Sequence, residues 1–302
     1  MTKIAVFFGG KVTCHLGLIK KAAKKLGAEL DLVSYNRVSF DTKTKEVRLN
    51  TQDVGKYDVL FFRTTGKHRE SVDLILDAVR EKIENGKVMV VDPILVKSRT
   101  SATLKAYQML ALSRAGIEVP KTLYGSLFYL RDKAKAGFGE FPLIIKGSGG
   151  NRGERVYKVD NESQLEKLVM ELRAAEVSEG KRYLMQEYIA NDGDFRVLVL
   201  GNEVLGAMKR SSVNEAEFRN NFSTGGKVEV AEIPDNIKKL AVRAAKSCGI
   251  LVAGVDVVLR DGDWNKPVVW EVNKGPQFSG FMKATGIDVP ERIVRFLVGL
   301  KR

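Results

Sequence analysis

The sequence predicts a mixed α/β fold (α+β by its segregation), with a small parallel α/β domain followed by antiparallel sheet. Three observations carry this. Short, wholly apolar runs alternate with helically spaced segments through residues 1 to about 95, the order expected of a buried parallel sheet. From Asp194 onward the pattern changes to hairpins closed by short polar turns. The chain has 302 residues, of which 44% are hydrophobic and 29% charged, enough for two or three domains with real cores.

Ile4–Phe8 is a continuous β-type run ending in Gly9-Gly10, and Leu16–Leu26 has helical spacing that stops at Gly27. Leu30–Val33, Val59–Phe62 and Val88–Val91 are further short apolar runs. Between the last two, Val72, Ile75, Leu76, Val79 and Ile83 fall on one face of a predicted helix over 72–83. Pro93 closes this region. Leu104–Ala115 reads as a helix, Phe141–Lys146 and Arg155–Val159 as strands around a glycine-rich loop, Glu162–Arg173 as a helix and Tyr183–Tyr188 as a strand. Phe195–Leu200, a Gly201-Asn202 turn and Val204–Lys209 form one hairpin. Val252–Leu259, a turn at Asp261-Gly262-Asp263 and Pro267–Val272 form a second. Helices Ile237–Cys248 and Pro290–Leu300 complete the pattern.

The formal net charge is +13, and the surplus is denser at the front: residues 1–100 hold 19 Lys/Arg against 12 Asp/Glu. Such a surplus favours anionic partners, although Lys20-Lys21-Ala22-Ala23-Lys24-Lys25 alone reads as a solvated helix face. No apolar run reaches the roughly 18 residues of a membrane-spanning helix, and the first strand is not a signal peptide, so the cytoplasm is the expected location and no membrane the expectation. Cys14 and Cys248 make no disulfide framework, and His15 and His68 are too few and too isolated for a zinc site. The chain lacks an aromatic-basic RNA motif and a zinc finger, which argues against a specific nucleic-acid partner.

Two places carry chemistry. Lys146 precedes Gly147-Ser148-Gly149-Gly150-Asn151-Arg152-Gly153, where four glycines in seven residues free the backbone to turn N–H groups onto an anion. It is neither a P-loop nor a Rossmann fingerprint, and a glycine-rich hairpin can equally be structural. Asp256 lies alone in the apolar strand Leu251–Leu259, where a carboxylate is costly to bury unless paired or metal-bound. Glu271 and Asn273, two apart, point to one face, and the second hairpin brings them beside Asp256. Two carboxylates and an amide oxygen make a hard, unsaturated site suited to Mg²⁺; a buried ion pair with Lys or Arg is the competing reading. Met185-Gln186-Glu187-Tyr188-Ile189, a strand end mixing apolar side chains with free backbone, is able to sandwich a flat base but is uninformative by itself.

Taken in order, Lys146 and its loop, Gln186-Glu187-Tyr188-Ile189, Asp194-Phe195-Arg196, Phe218-Arg219-Asn220-Asn221, Gly225-Gly226, Gly254-Val255-Asp256, Glu271-Val272-Asn273 and Thr285-Gly286-Ile287-Asp288 resemble the ATP-grasp fold, and within it the RimK-type α-L-glutamate ligases. The resemblance covers most of residues 95–302; before that only Arg63 matches. It implies an N-terminal pre-ATP-grasp domain (1–95), a linker helix with the central ATP-grasp subdomain (96–188) and a C-terminal subdomain with the metal site (189–302). It implies that Lys146 contacts the α/β-phosphates, with Gly149, Gly150 and Gly153 in the phosphate loop. Glu187, Tyr188 and Ile189 line the adenine pocket beside Gln186, with Asp194 near the ribose. Arg219 and Asn221 face the γ-phosphate, and Arg210 the acyl-phosphate or substrate carboxylate, so Arg210 and Arg219 are the expected catalytic pair. Asp256, Glu271 and Asn273 hold two Mg²⁺ (or Mn²⁺), Glu271 bridging.

The chain departs from the family pattern twice. The expected Asp-Lys pair at the linker helix reads Ala102-Thr103, with Lys97, Arg99 and Lys105 near. After Asn273 stands Lys274-Gly275-Pro276-Gln277 in place of a small residue, Ser, Pro and Gly. The implied reaction is ATP-dependent ligation of an amino acid to a carboxylate acceptor, such as an acidic peptide or protein C-terminus, by a homo-oligomer. The alternatives are a lysine-biosynthesis-like or glutathione-synthetase-like ligase with a small acceptor, and a non-catalytic ATP-binding module.

Overall fold

A computed structural model describes residues 1–98, 104–148, 155–211 and 227–301. The N-terminal sheet consists of β1 (Lys3–Phe8), β2 (Glu29–Ser34), β6 (Val59–Phe62) and β7 (Met89–Val90), all parallel, in the order β2-β1-β6-β7. Ile4 to Phe8 are all buried, as a continuous apolar run predicts for a strand covered on both faces. Helix α1 (Cys14–Lys25) starts where the Thr13 hydroxyl accepts from the Leu16 N–H and stops at Gly27, whose φ of +65° disfavours any other residue.

Between β2 and β6 lies a three-stranded meander that the sequence pattern does not signal: β3 (Val38–Asp41), β4 (Glu46–Leu49) and β5 (Gln52–Asp53). Val38-Ser39-Phe40-Asp41 and Glu46-Val47-Arg48-Leu49 do alternate, but the strands are only two to four residues long and mostly exposed, too short for the pattern to stand out from a loop. The helix expected over 72–83 is two, α2 (Arg69–Ala78) and α3 (Arg80–Glu84), broken at Val79 (φ −114°, ψ 15°), whose side chain is driven into the core. Short α4 (Ile94–Ser98) and α5 (Lys105–Arg114) lead onward.

The second sheet is antiparallel, in the order β10-β9-β11-β8, from β8 (Thr122–Gly125), β9 (Leu143–Gly147), β10 (Val156–Val159) and β11 (Tyr183–Glu187). Helices α6 (Leu127–Lys135) and α7 (Glu162–Ser178) cover it and close a core of Leu127, Leu130, Leu143, Ile145, Leu168 and Tyr183. The third sheet, β14-β13-β12-β15-β16, is also antiparallel, from β12 (Asp194–Leu200), β13 (Glu203–Ser211), β14 (Lys227–Ala231), β15 (Val252–Leu259) and β16 (Pro267–Lys274). Helix α8 (Asp235–Ser247) lays Ile237, Ala241, Ala244 and Ala245 on this sheet, while α9 (Ser279–Thr285) and α10 (Val289–Gly299) close the other face. Both expected hairpins are present, and the mixed α/β class holds. No described helix is long and apolar enough to cross a membrane.

The third sheet is locked to the N-terminal one. Gly249, between α8 and β15, has φ +61°, and a Cβ there would lie 2.9 Å from the Ile94 Cβ. Its carbonyl accepts from the Ile94 N–H at 3.2 Å. Gly249→Ala is therefore expected to destabilise the protein by about 1–3 kcal/mol, read as a lower urea midpoint at unchanged slope.

Candidate active site

Register alone gathers the polar residues. Across the third sheet Asp194 on β12 faces Arg210 on β13, Arg196 faces Asp256 on β15, and Asp256 faces Glu271 on β16. Asp194 and Arg196, and Glu271 and Asn273, are each two apart, so all these side chains share one face. Gly254 stands opposite Asn273, and a Cβ there would come 2.9 Å from the Pro276 side chain, so glycine lets the loop after β16 fold back over the sheet. Beyond Asp256 the register slips, and Trp270 is the extra residue of a bulge.

Asp256 is buried but saturated with charge. Arg196 donates from Nε (2.7 Å) and Nη2 (2.6 Å) in a bidentate fork, Arg210 Nη2 reaches Oδ2 at 3.0 Å, and the Asn273 amide donates to Oδ2 at 3.0 Å. Burial pushes its carboxyl up, but the two guanidiniums outweigh that and hold it below the usual carboxylate range. Asp194 is also buried, and both its oxygens accept from Arg210. Burial, reinforced by the Asp256 charge, pushes Asp194 up to about 6 against the pull of Arg210. The structure thus turns Asp194 and Arg210 inward onto each other.

Glu271 is engaged from the other side. Lys105, the first residue of α5, donates to Glu271 Oε1. One turn later, buried Gln108 donates to the Val272 carbonyl (2.8 Å) and accepts from the Val272 N–H (3.4 Å). This docks α5 on the edge of β16 and brings Lys105, on the same helix face, over Glu271. Burial tends to raise Glu271, yet Lys105 holds its carboxyl below the usual range. Lys146 on β9 is half-buried and has no ion pair among the described residues. Burial, then the Lys105 charge, pushes its ammonium down to about 8, with Glu271 opposing.

Among the described residues the cluster holds four cations, Lys105, Lys146, Arg196 and Arg210, against three carboxylates, Asp194, Asp256 and Glu271, an excess of one positive charge. Among the described residues no three His, Cys, Asp or Glu side chains converge as a metal set. The hard donors that fit a divalent ion are Glu271 Oε2 and the Asn273 carbonyl oxygen, which no described donor reaches, and Asp256 Oδ1, which accepts one bond. That donor set suits Mg²⁺ with further oxygens from phosphate and water.

The strand end at Gln186–Ile189 runs beside the same site. Gln186 donates to the Thr122 hydroxyl at 2.7 Å, and Glu187 accepts from the Lys121 N–H (2.8 Å) and Arg260. Lys158 lies 4.8 Å over the Tyr188 ring, and Ile189 joins Val258, Val268 and Trp270 in a small apolar platform. Gly149, Gly150, Gly153, Arg219 and Asn221, and the Ala102-Thr103 pair, lie outside the described residues.

Arg196 is the group that sequence reasoning left without a role, although two residues after Asp194 on an alternating strand it is signalled by period two; Lys105, a neighbour expected as one substitute for the missing linker lysine, instead meets Glu271. A second fastener was also unread. Lys274 donates to the Phe62 carbonyl and lies 3.7 Å from Asp92 Oδ2, and Arg63 Nη2 donates to the Pro276 carbonyl at 2.5 Å. These contacts tie the segment after Asn273 to the end of β6.

Residues 100–297 match the sequence profile of the RimK-like ATP-grasp domain. The chain is 30% identical over 300 residues to a protein of Pseudoalteromonas atlantica named "Probable alpha-L-glutamate ligase 2", covering 98% of this chain and 95% of that one. Among solved structures it is similar to the ATP-grasp ligase PsnB complexed with minimal precursor (TM-score 0.74, 22% identity, covering 100% and 99%). PsnB with minimal precursor, Mg and ADP gives a TM-score of 0.70 at 21% identity, covering 99% and 98%. The D-cycloserine synthetase DcsG gives a TM-score of 0.72 at 15% identity, covering 99% and 100%.

Arg210→Met leaves Asp194 and Asp256 short of a buried counter-charge, and a loss of about 3–5 kcal/mol is expected in urea unfolding. Adding Asp194→Asn recovers part of it; a loss below ~1 kcal/mol for the single variant contradicts the buried pairing.

Proposed function

The chain belongs to the RimK-like ATP-grasp family, and from that membership we propose an ATP-dependent carboxylate–amine ligase that adds glutamate or another amino acid to a peptide, protein or small acceptor. The observation that carries this is the shared face of β15 and β16, where Asp256, Glu271 and Asn273 stand together opposite Lys146. The division of labour follows the three segments 1–95, 96–188 and 189–302. A cytoplasmic setting follows from the nucleotide it uses.

In this reading Asp256, Glu271 and Asn273 would hold Mg²⁺, which when bound would supply charge neutralisation at the phosphate oxygens. Lys146, half-buried and without an ion pair among the described residues, would contact the phosphates. Glu187, Tyr188 and Ile189 would line the adenine pocket beside Gln186, offering backbone rather than the Glu187 side chain, which is committed to Arg260 and Lys121. Arg219, Asn221 and the loop glycines Gly149, Gly150 and Gly153 serve the phosphates by the family pattern. Arg210 and Arg196 act as positioning residues that hold Asp256 ionised and oriented.

The acceptor carboxylate, anionic at neutral pH, attacks the γ-phosphorus; its oxygen–phosphorus bond forms as the bond to ADP breaks. The amine then attacks the acyl carbon, releasing phosphate and a proton and leaving the amide. Positioning and charge neutralisation, rather than covalent help from the protein, lower the barrier.

The test is ADP release with Mg-ATP, glutamate and a panel of glutamyl peptides, protein C-termini and small acceptors. Glu271→Ala is expected to cut turnover at least about 100-fold in protein that still folds, since a ligand matters at least as much as the outer-shell groups that cost 10–100-fold; loss of the Lys105 partner lowers its melting temperature without unfolding it at assay temperature. An active Glu271→Ala protein contradicts the metal assignment.

A further inference from the structure

Lys105 and Glu271 form an ion pair in the middle of the face assigned to Mg-ATP. A lysine ammonium and a divalent cation compete for one carboxylate, by occupancy of the oxygen and by mutual repulsion. Were Lys105 to leave Glu271, its charge would stand beside Lys146, which already feels it and has no ion pair among the described residues. Two adjacent ammoniums without an anion are unfavourable, and a polyphosphate is the anion that accompanies the metal.

Resting on the Mg-ATP reading above, we propose that Lys105 is a displaceable counter-ion: it occupies Glu271 in the nucleotide-free protein, keeps bare divalent cations off the site, and passes to phosphate when the metal–nucleotide complex enters. The excess of one positive charge among the described residues has the same consequence, since it disfavours a bare dication and favours the metal–ATP complex, which is a dianion. The mechanical requirement is also met. The Lys105 side chain is 23% exposed and sits at the first turn of α5, anchored separately through Gln108, so it moves without unseating the helix. Metal and nucleotide are therefore coupled through one side chain, and each tightens the other by the same factor.

The experiment measures Mn²⁺ binding by electron paramagnetic resonance, with and without a non-hydrolysable ATP analogue, in the full chain and in Lys105→Met and Lys105→Arg. The native protein is expected to bind bare Mn²⁺ weakly and the metal–analogue pair cooperatively. In Lys105→Met, bare Mn²⁺ tightens by roughly tenfold and the metal–analogue complex weakens by roughly tenfold, the size of one charge-assisted contact, so the coupling shrinks. Lys105→Arg keeps most of the coupling. A merely structural lysine would move neither metal affinity nor coupling in opposite senses. Unchanged or weaker bare Mn²⁺ binding in Lys105→Met overturns the counter-ion role. Independent binding of metal and analogue in the native protein overturns it without any variant. Native protein that binds the metal–analogue complex while Lys105→Met behaves identically leaves the ligase reading standing; native protein that binds no metal–nucleotide complex removes both.

Discussion

Everything at the candidate site hangs on a carboxylate in the wrong place. Asp256 interrupts a strand whose eight residues are all buried, and an isolated charge there would cost several kcal/mol. The fold compensates with a guanidinium fork from the neighbouring strand, a second guanidinium from the strand beyond, and an amide from its hairpin partner. Those contacts are available only if β12 lies between β13 and β15 in one register. The charge and the sheet order therefore require each other.

The same requirement shapes the surroundings. The fork leaves Asp256 ionised and oriented, so the outer strand β16 can present Glu271 and Asn273 alongside it. An edge strand needs cover, and Gln108 supplies it through the backbone of Val272, which fixes where α5 begins and hence which cation reaches Glu271. On the far side, Lys274 and Arg63 tie the segment after Asn273 to the parallel sheet. The candidate face is thus held from three directions, while among the described residues Lys146 and Lys105 are cations with room to meet an incoming anion.

What could be read from sequence follows the range of the signal. Apolar runs such as Ile4–Phe8 and Val59–Phe62 declare buried parallel strands, and a lone Asp in Leu251–Leu259 announces a paired or ligating carboxylate. Period two places Glu271 with Asn273. Strands β3, β4 and β14 alternate apolar and polar residues over only four or five positions, too few to stand out, and α6 is a nine-residue helix whose Ser126 cap and Leu127–Leu130–Ala134 spacing make a short signal. The partnership of Arg196 with Asp256 spans sixty residues and depends on which strand adjoins β15, which local pattern does not contain. The choice between a metal ligand and a buried ion pair for Asp256 was posed as exclusive. The structure shows the ion pairs in place, with Oδ1 still able to accept, so the two readings are compatible.

The central claim is that this face, with an excess of one positive charge among its described residues, favours a metal–nucleotide dianion over a metal ion alone. Calorimetric titration of the native protein with Mg²⁺, and separately with Mg-ATP, tests it directly. The account predicts saturable binding of Mg-ATP and none of Mg²⁺ over the same concentration range. Tight, saturable binding of Mg²⁺ without nucleotide would contradict it.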